Sequence, residues 1–468
     1  MLNVSREEIT EGSLVRALLL LSAPLIVQSL VQVVQQIADI FWLGRLGENS
    51  VAAVGINFPL TSFLFSVFMI SFVGTQVLVS QHVGADEQSL ARRAAFHGIS
   101  LGLAFGIALT AFVFVFGSSF IDLFGAEPDV ASQAFTYLFV FSFGFSFIGM
   151  SDSIEAGFIG WGDSRAALYI NATAVVVNVI LDPILIFGTG IPNFHGWNIA
   201  GAALASAIGY GCSFLLGLGM MIRGRNGYTL TRKSMVVRVE KYRELLDIGI
   251  PMFGQQAAGQ AVRVLIIGVV TAVGGPASVS AYTIGATISS IAFIPAGSFK
   301  RAAQSIIGQN IGAENPMRAN RTTWVGVVVS VVGLSIIGVI QWFIPGLLTN
   351  LFVPDISPAA YQLTVDYLRI LVFGYWAIGA MNVFSAGFNG IRETKTTMIA
   401  DMIKYWVIRL PIAVIGVFWL HYDVHAVFWA VTISNCVAAV GFGAYYYYRT
   451  TDGMTQRAVR DISGSVDD

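Results

Sequence analysis

Gln28, Gln32, Gln35 and Asp39 are polar side chains within the first long apolar stretch. Their spacings of 4, 3 and 4 place them along one stripe of a 3.6-residue helix. Lipid satisfies neither amides nor a carboxylate, so the stripe must face a cavity or a polar partner. A second set lies in NVILDP, where Asn178 and Asp182 stand one helical turn apart, and Ser206 follows in the next apolar run. Carboxylates, amide carbonyls and hydroxyls are the ligands of a hard cation. Asp39, Asn178, Asp182 and Ser206 supply that set without nitrogen or sulfur, which makes them a candidate site for Na⁺ or H⁺.

A lone carboxylate at membrane depth is favoured in its protonated form, and two close together share a proton or recruit a cation. Other readings compete. Asp39 lies near the outer end of its helix, where Arg45 could pair with it, and Asp182 could be a hydrogen-bonded structural carboxylate. Glu155 adds a third acidic group near the cytoplasmic end of its helix, where Arg165 could neutralise it, so gating and structural roles stand level.

The elements that must position these groups are transmembrane helices. The 468 residues are 55% hydrophobic and only 11% charged, against about a quarter charged in soluble domains. Twelve apolar runs are long enough to cross a core roughly 30 Å thick: near 14–40, 52–79, 95–117, 132–156, 166–188, 199–222, 244–271, 279–307, 323–347, 360–388, 396–419 and 424–448. The predicted fold is an all-α polytopic membrane protein. Nineteen of the 26 Lys and Arg lie in alternate loops and the two tails, and the opposite loops hold only Arg45. By the positive-inside rule both termini are cytoplasmic. The polar start MLNVSREEITEGSLVR is no basic leader segment.

The chain is written twice. YLFVFSFGFSFIGMSDSIEAGFIG from Tyr137 returns as YLRILVFGYWAIGAMNVFSAGFNG from Tyr367, with Phe143, Gly144, Gly149, Gly157 and Gly160 each recurring 230 positions on. Gln28, Gln32 and Gln35 map onto Gln256, Gln260 and Arg263, which extends the polar stripe to a second half and points both at a shared cleft. Contacts that merely hold helices together are the rival reading of those stripes. Duplicated membrane bundles are characteristically transporters. This arrangement divides the chain into a six-helix lobe (1–222), a basic cytoplasmic linker (223–243), a second six-helix lobe (244–450) and a cytoplasmic tail (451–468). Pro24 and Pro251 take corresponding places in the first helix of each half, and each permits a bend. Small residues in GAALASAIG (201–209) repeat at i and i+4 and allow close helix packing.

The copies differ in their charges. Asp39 maps to Ile267, Glu155 to Ser385 and Asp182 to Leu410, whereas Arg263, Lys404 and Arg409 belong to the second half. Asp401 and Lys404, three apart, are placed to pair locally. The five histidines have no metal-ligand spacing, and no phosphate-cradling glycine loop is present, so neither an enzyme nor an ATP-driven pump is indicated. Nucleic-acid-binding chemistry is absent, and Cys212 and Cys436 lie inside apolar runs, outside any disulfide framework.

LGENSVAAVGINFP (46–59), the late Asp39 in a Pro24-bearing first helix, the repeated GFxG turn and the NVILDPILIFG segment (178–188) together resemble the multidrug and toxic compound extrusion transporters over about residues 12–450. The resemblance implies two six-helix bundles related by a pseudo-twofold axis, and export of organic, often cationic or amphipathic, compounds in exchange for Na⁺ or H⁺. It is strongest to the archaeal and DinF-like branch. That branch's cation site maps onto Asp39, Asn178, Asp182 and Ser206, its N-lobe cavity onto Gln32 and Tyr137, and its helix-one bend onto Pro24. Glu155 departs from an asparagine found in relatives, and the second half lacks the acidic residues of NorM-like members. The expectation is therefore a multi-pass plasma-membrane antiporter. It would act as a monomer on small molecules among membrane lipids, with no cofactor beyond its coupling ion. A flippase for lipid-linked precursors is the alternative, which Arg263 and Arg409 alone support.

Overall fold

In the computed structural model, residues 6–123, 125–353 and 356–464 are described, and the helices among them account for nearly all of the chain. The expected cytoplasmic ends at 1–5 and 465–468 lie outside those residues. Among the described residues, nine helices are long and apolar enough to cross a membrane: Leu14–Leu46, Glu48–Gly84, Gln88–Asp122, Ser164–Phe187, Asn198–Ile222, Val239–Ala292, Pro316–Phe343, Thr394–Trp419 and His425–Thr451. Two further spans are bent pairs, Pro128–Ser142 with Phe145–Trp161 at 51° and Pro358–Val372 with Tyr375–Asn389 at 53°. Both breaks fall on the repeated Phe-Gly pair, Phe143-Gly144 and Phe373-Gly374, so the duplication preserves the bend as well as the sequence.

The 54-residue helix Val239–Ala292 accounts for the twelfth crossing. At 1.5 Å per residue it would run about 80 Å, more than twice the hydrocarbon thickness. Gly275 divides it, with φ +62° and ψ −158°, a backbone that side-chain-bearing residues avoid. The limb after Gly275 continues into Ile294–Gly312 and makes the eighth span. The protein is thus a twelve-span α-helical bundle arranged as two groups of six. The helices outrun the predicted apolar windows, because polar residues at span ends continue the same hydrogen-bonded ladder. The third span starts at Gln88 where hydropathy places it near 95, for example.

The chain forms two compact units, residues 23–250 and residues 6–22 with 251–464. One division falls one residue before Pro24 and the other immediately before Pro251. Within the first unit, the fifth and sixth spans meet at the predicted small-residue face. A Cβ on Gly201 would lie 2.2 Å from the Leu185 carbonyl oxygen, and one on Gly209 2.6 Å from that of Ala174. Only glycine admits such backbone contact.

The linker is more than a basic tether. Asp163 accepts hydrogen bonds from Ala166 N at 3.1 Å, Arg225 Nε at 2.6 Å and Asn226 Nδ2 at 2.6 Å, and so caps the fifth span while anchoring the connector. Tyr228 is fully buried beside Phe158 and Trp161, and its hydroxyl has no hydrogen-bond partner. A buried hydroxyl without a partner costs about 1–3 kcal/mol. Tyr228→Phe should therefore raise the thermal midpoint of the detergent-solubilised protein, and a lowered midpoint would show the hydroxyl to be bonded. Within the C-terminal tail, Met454–Gly464 is helical.

Candidate functional site

The polar groups of the first unit converge from the first, fourth, fifth and sixth spans. Gln28 is buried and donates from Nε2 to Glu155 Oε1 at 2.7 Å. Two turns on, Gln35 Nε2 donates to Asn178 Oδ1 at 3.2 Å. The Asn178 amide nitrogen in turn donates to Asp182 Oδ1 at 3.3 Å and to Ser206 Oγ at 3.1 Å. Asn178, Asp182 and Ser206 are all buried. The carboxyls of Asp39 and Asp182 lie beside each other, and the Tyr137 hydroxyl lies near Ser206.

Local sequence explains this convergence. Asn178 and Asp182 share a face of Ser164–Phe187, a helix that runs through Pro183 and stops at Gly188 in the left-handed conformation, φ +76°. Gly201 and Gly209 draw the sixth span against that helix and carry Ser206 to Asn178. The first span presents Gln28, Gln35 and Asp39 over eleven residues, three turns of one helix.

Two carboxyls side by side must have a proton or a cation between them. Asp182 Oδ2 is buried and receives no hydrogen bond from an N–H or hydroxyl group. That oxygen, the Asp39 carboxyl and Ser206 Oγ suit either a proton or a small hard cation. Asn178 discriminates between them. Its nitrogen points at Asp182 and Ser206 while its oxygen is taken by Gln35. Coordinating a cation through Asn178 requires the amide to turn over and release Gln35.

Several expected members stand apart. Gln32 is exposed and outside this hydrogen-bonded group. In the second unit Gln256 and Arg263 are exposed and Gln260 is half-buried. Arg45 does not pair with Asp39; its guanidinium lies over the Phe41 and Trp42 rings, at 4.6 and 5.5 Å from their centroids. Asp401 and Lys404 form the predicted ion pair, and Gln255, one residue before the expected Gln256, bonds the same carboxylate. Sequence reasoning passed over Asp152 and Tyr210. The Tyr210 hydroxyl feels the charges of Asp152, Asp39 and Glu155, which places all four groups in one electrostatic neighbourhood. The available signals were a carboxylate one turn before Glu155 in an apolar span and a tyrosine one turn after Ser206.

Comparison with known proteins agrees with this architecture. Residues 24–184 and 251–415 match the MatE family model, one stretch in each half. A probable multidrug resistance protein NorM of Pseudomonas aeruginosa is 24% identical over 462 residues, covering 96% of this chain and 92% of that protein. An FAD transporter of Shewanella oneidensis is 23% identical over 441 residues, covering 92% and 93%. A solved MOP superfamily transporter from Pyrococcus furiosus superposes with a TM-score of 0.88 at 22% identity, covering 95% of this chain and 97% of that one.

Proposed function

Because the chain belongs to the MatE family, we propose that it is a secondary active antiporter exporting organic, often cationic or amphipathic, compounds in exchange for Na⁺ or H⁺. It is a multi-pass membrane transporter and not an enzyme. The observation that carries the coupling assignment is the Asp39–Asp182 carboxyl pair, tied through Asn178 to Gln35 and Ser206. These residues span three helices, so filling or emptying the pair changes the packing of all three.

Exchange requires that the coupling ion and the substrate favour different states of the protein; tight binding of either alone shifts nothing. In this reading the ion favours the state in which the first, fifth and sixth spans are drawn together, and the substrate favours the other. Pro24 leaves one helix hydrogen bond of the first span unmade, which permits the bend between them. The multidrug and FAD transporters among the relatives move different cargoes, so substrate class is argued from this chain's own residues.

The finer assignments are cytoplasmic termini, transport without ATP, and kinship with the archaeal and DinF-like branch. They rest on the distribution of basic residues, the absence of a phosphate-cradling motif, and the Asp39, Asn178, Asp182 and Ser206 set. A lipid-linked precursor flippase gains no support from the relatives.

Reconstituted protein should move ethidium against its gradient when a H⁺ or Na⁺ gradient is imposed, with no nucleotide present. Equal ethidium flux with both gradients collapsed would overturn the antiport reading.

A further inference from the structure

The second unit holds cations at membrane depth where the first holds carboxylates. Arg409 sits near the middle of Thr394–Trp419, and its guanidinium is fixed by neutral oxygens, Nε to Ser434 Oγ and Nη2 to Asn435 Oδ1, each at 2.9 Å. It stacks 4.8 Å from the centroid of Tyr405, and Lys404 Nζ lies 4.2 Å from that centroid. The segment Ile403–Arg409 is a π-helix. Residues five apart in an α-helix point about 140° away from each other, but a turn bonded i to i+5 brings them nearly into line. Lys404 and Arg409 thereby meet on one tyrosine ring.

The seventh span completes the cluster. Gly259 faces Tyr405, for a Cβ there would stand 3.4 Å from the ring, and Arg263 follows one turn later on the same face. The charges of Arg263 and Arg409 both act on the hydroxyls of Tyr282 and Tyr367, whose rings are 5.6 Å apart. Arg263 is exposed, twelve residues or about 18 Å before the break at Gly275. An arginine side chain does not reach the interface across that distance.

Lys300 and Lys404 face Asp401. No carboxylate among the described residues pairs with Arg263 or Arg409. Two guanidiniums without a carboxylate partner at membrane depth face the interior or a water-filled cavity and mark a substrate path, where an anionic group would neutralise them. Guanidinium also matches a carboxylate or phosphate in bidentate geometry.

We propose that Arg263 and Arg409, with Tyr405, form a subsite for the carboxylate or phosphate group of an amphipathic substrate. The subsite rests on the export reading above and names its substrate class: molecules with an anionic group on an apolar or aromatic body. The half-buried Tyr405 ring serves the body, and the guanidiniums serve the anion.

The test is equilibrium binding, which does not depend on transport. Full-length protein in non-ionic detergent is titrated with an anionic amphiphile, dansyl-undecanoate, and in parallel with ethidium. Arg263→Gln and Arg409→Gln should each lower the ratio of dansyl-undecanoate to ethidium affinity about tenfold. Arg263 makes no hydrogen bond whose loss would unfold the chain, so its variant keeps the test sound if Arg409→Gln fails to fold. Displacement of the probe by phosphatidylglycerol identifies a lipid headgroup as the natural source of the anion, and displacement only by soluble aryl phosphates identifies a soluble substrate. Failure of wild type to bind dansyl-undecanoate, or an unchanged ratio in Arg263→Gln, overturns the subsite. Binding without gradient-driven movement of either probe would leave the subsite standing and overturn the antiport reading instead.

Discussion

Asp182→Asn should reduce gradient-driven efflux by roughly a hundredfold, equivalent to about 2.7 kcal/mol, while the amount of folded protein in the membrane stays close to wild type. Asparagine keeps the volume of the side chain and can still accept from Asn178 Nδ2, the 3.3 Å bond that Asp182 Oδ1 now receives. What it cannot do is take up or release a proton, or neutralise a cation. The carboxyl contact with Asp39 would become an ordinary amide–carboxylate hydrogen bond, insensitive to the gradient. Asp39→Asn should behave alike, because the two carboxyls stand together and a proton or cation held between them needs both. Ser206→Ala should cost far less, since it removes one neutral acceptor of Asn178 and leaves both carboxyls in place. The measurement is dye efflux from proteoliposomes under imposed H⁺ or Na⁺ gradients, alongside substrate binding at equilibrium. Binding retained with efflux lost is the signature of an uncoupled site. Full efflux by both aspartate variants would move the coupling elsewhere, with Glu155 and its Gln28 partner the next place to look.

How far this site is legible in sequence follows from which contacts are local. Asn178 and Asp182 lie one turn apart on one helix, and spacing alone brings them together. The stripe on the first span is legible for the same reason, with an exception that geometry explains. At 100° per residue, Gln32 sits about 40° to one side of Gln28 and Gln35 about 20° to the other. That difference separates an exposed amide from one that reaches Asn178. The repeat points to Gln256 as the partner of Gln28, yet Gln255, a further 100° round the helix, bonds Asp401. A repeat preserves the scaffold, but which side of a helix meets a carboxylate depends on where that carboxylate stands, and Asp401 has no counterpart in the first half's polar set. The anchoring of the linker was illegible for another reason. Asp163 reads as a turn residue before a helix, and nothing local announces that Arg225 and Asn226, more than sixty positions later, return to it.

Asp401→Asn should be the most destabilising single charge change in the second half, costing on the order of 3–5 kcal/mol and lowering both yield and thermal midpoint. Asp401 and Lys404 are 7% and 8% exposed, and Gln255 and Lys404 both donate to the carboxylate, with Lys300 facing it as well. Removing the carboxylate leaves the buried Lys404 ammonium beside the half-buried Lys300 with no counter-charge. Lys404→Met should be much milder, because Asp401 keeps Gln255 and gains Lys300 as its sole cation, while methionine fills the space of the lysine stem. The double variant Asp401→Asn with Lys404→Met should fall between them, since one unpaired ammonium is less costly than two. An ion pair acting alone predicts another order, with the two single variants equally harmful and the double variant nearly neutral. Thermal unfolding of the three proteins in detergent separates these cases. The ordering also bears on transport: if Lys300 does replace Lys404, the positive charge facing Tyr405 falls by one while the pair at Asp401 survives. Anion binding at the proposed Arg409 subsite should then weaken without loss of the fold, which would show stability and recognition to be carried by neighbouring, separable sets of cations.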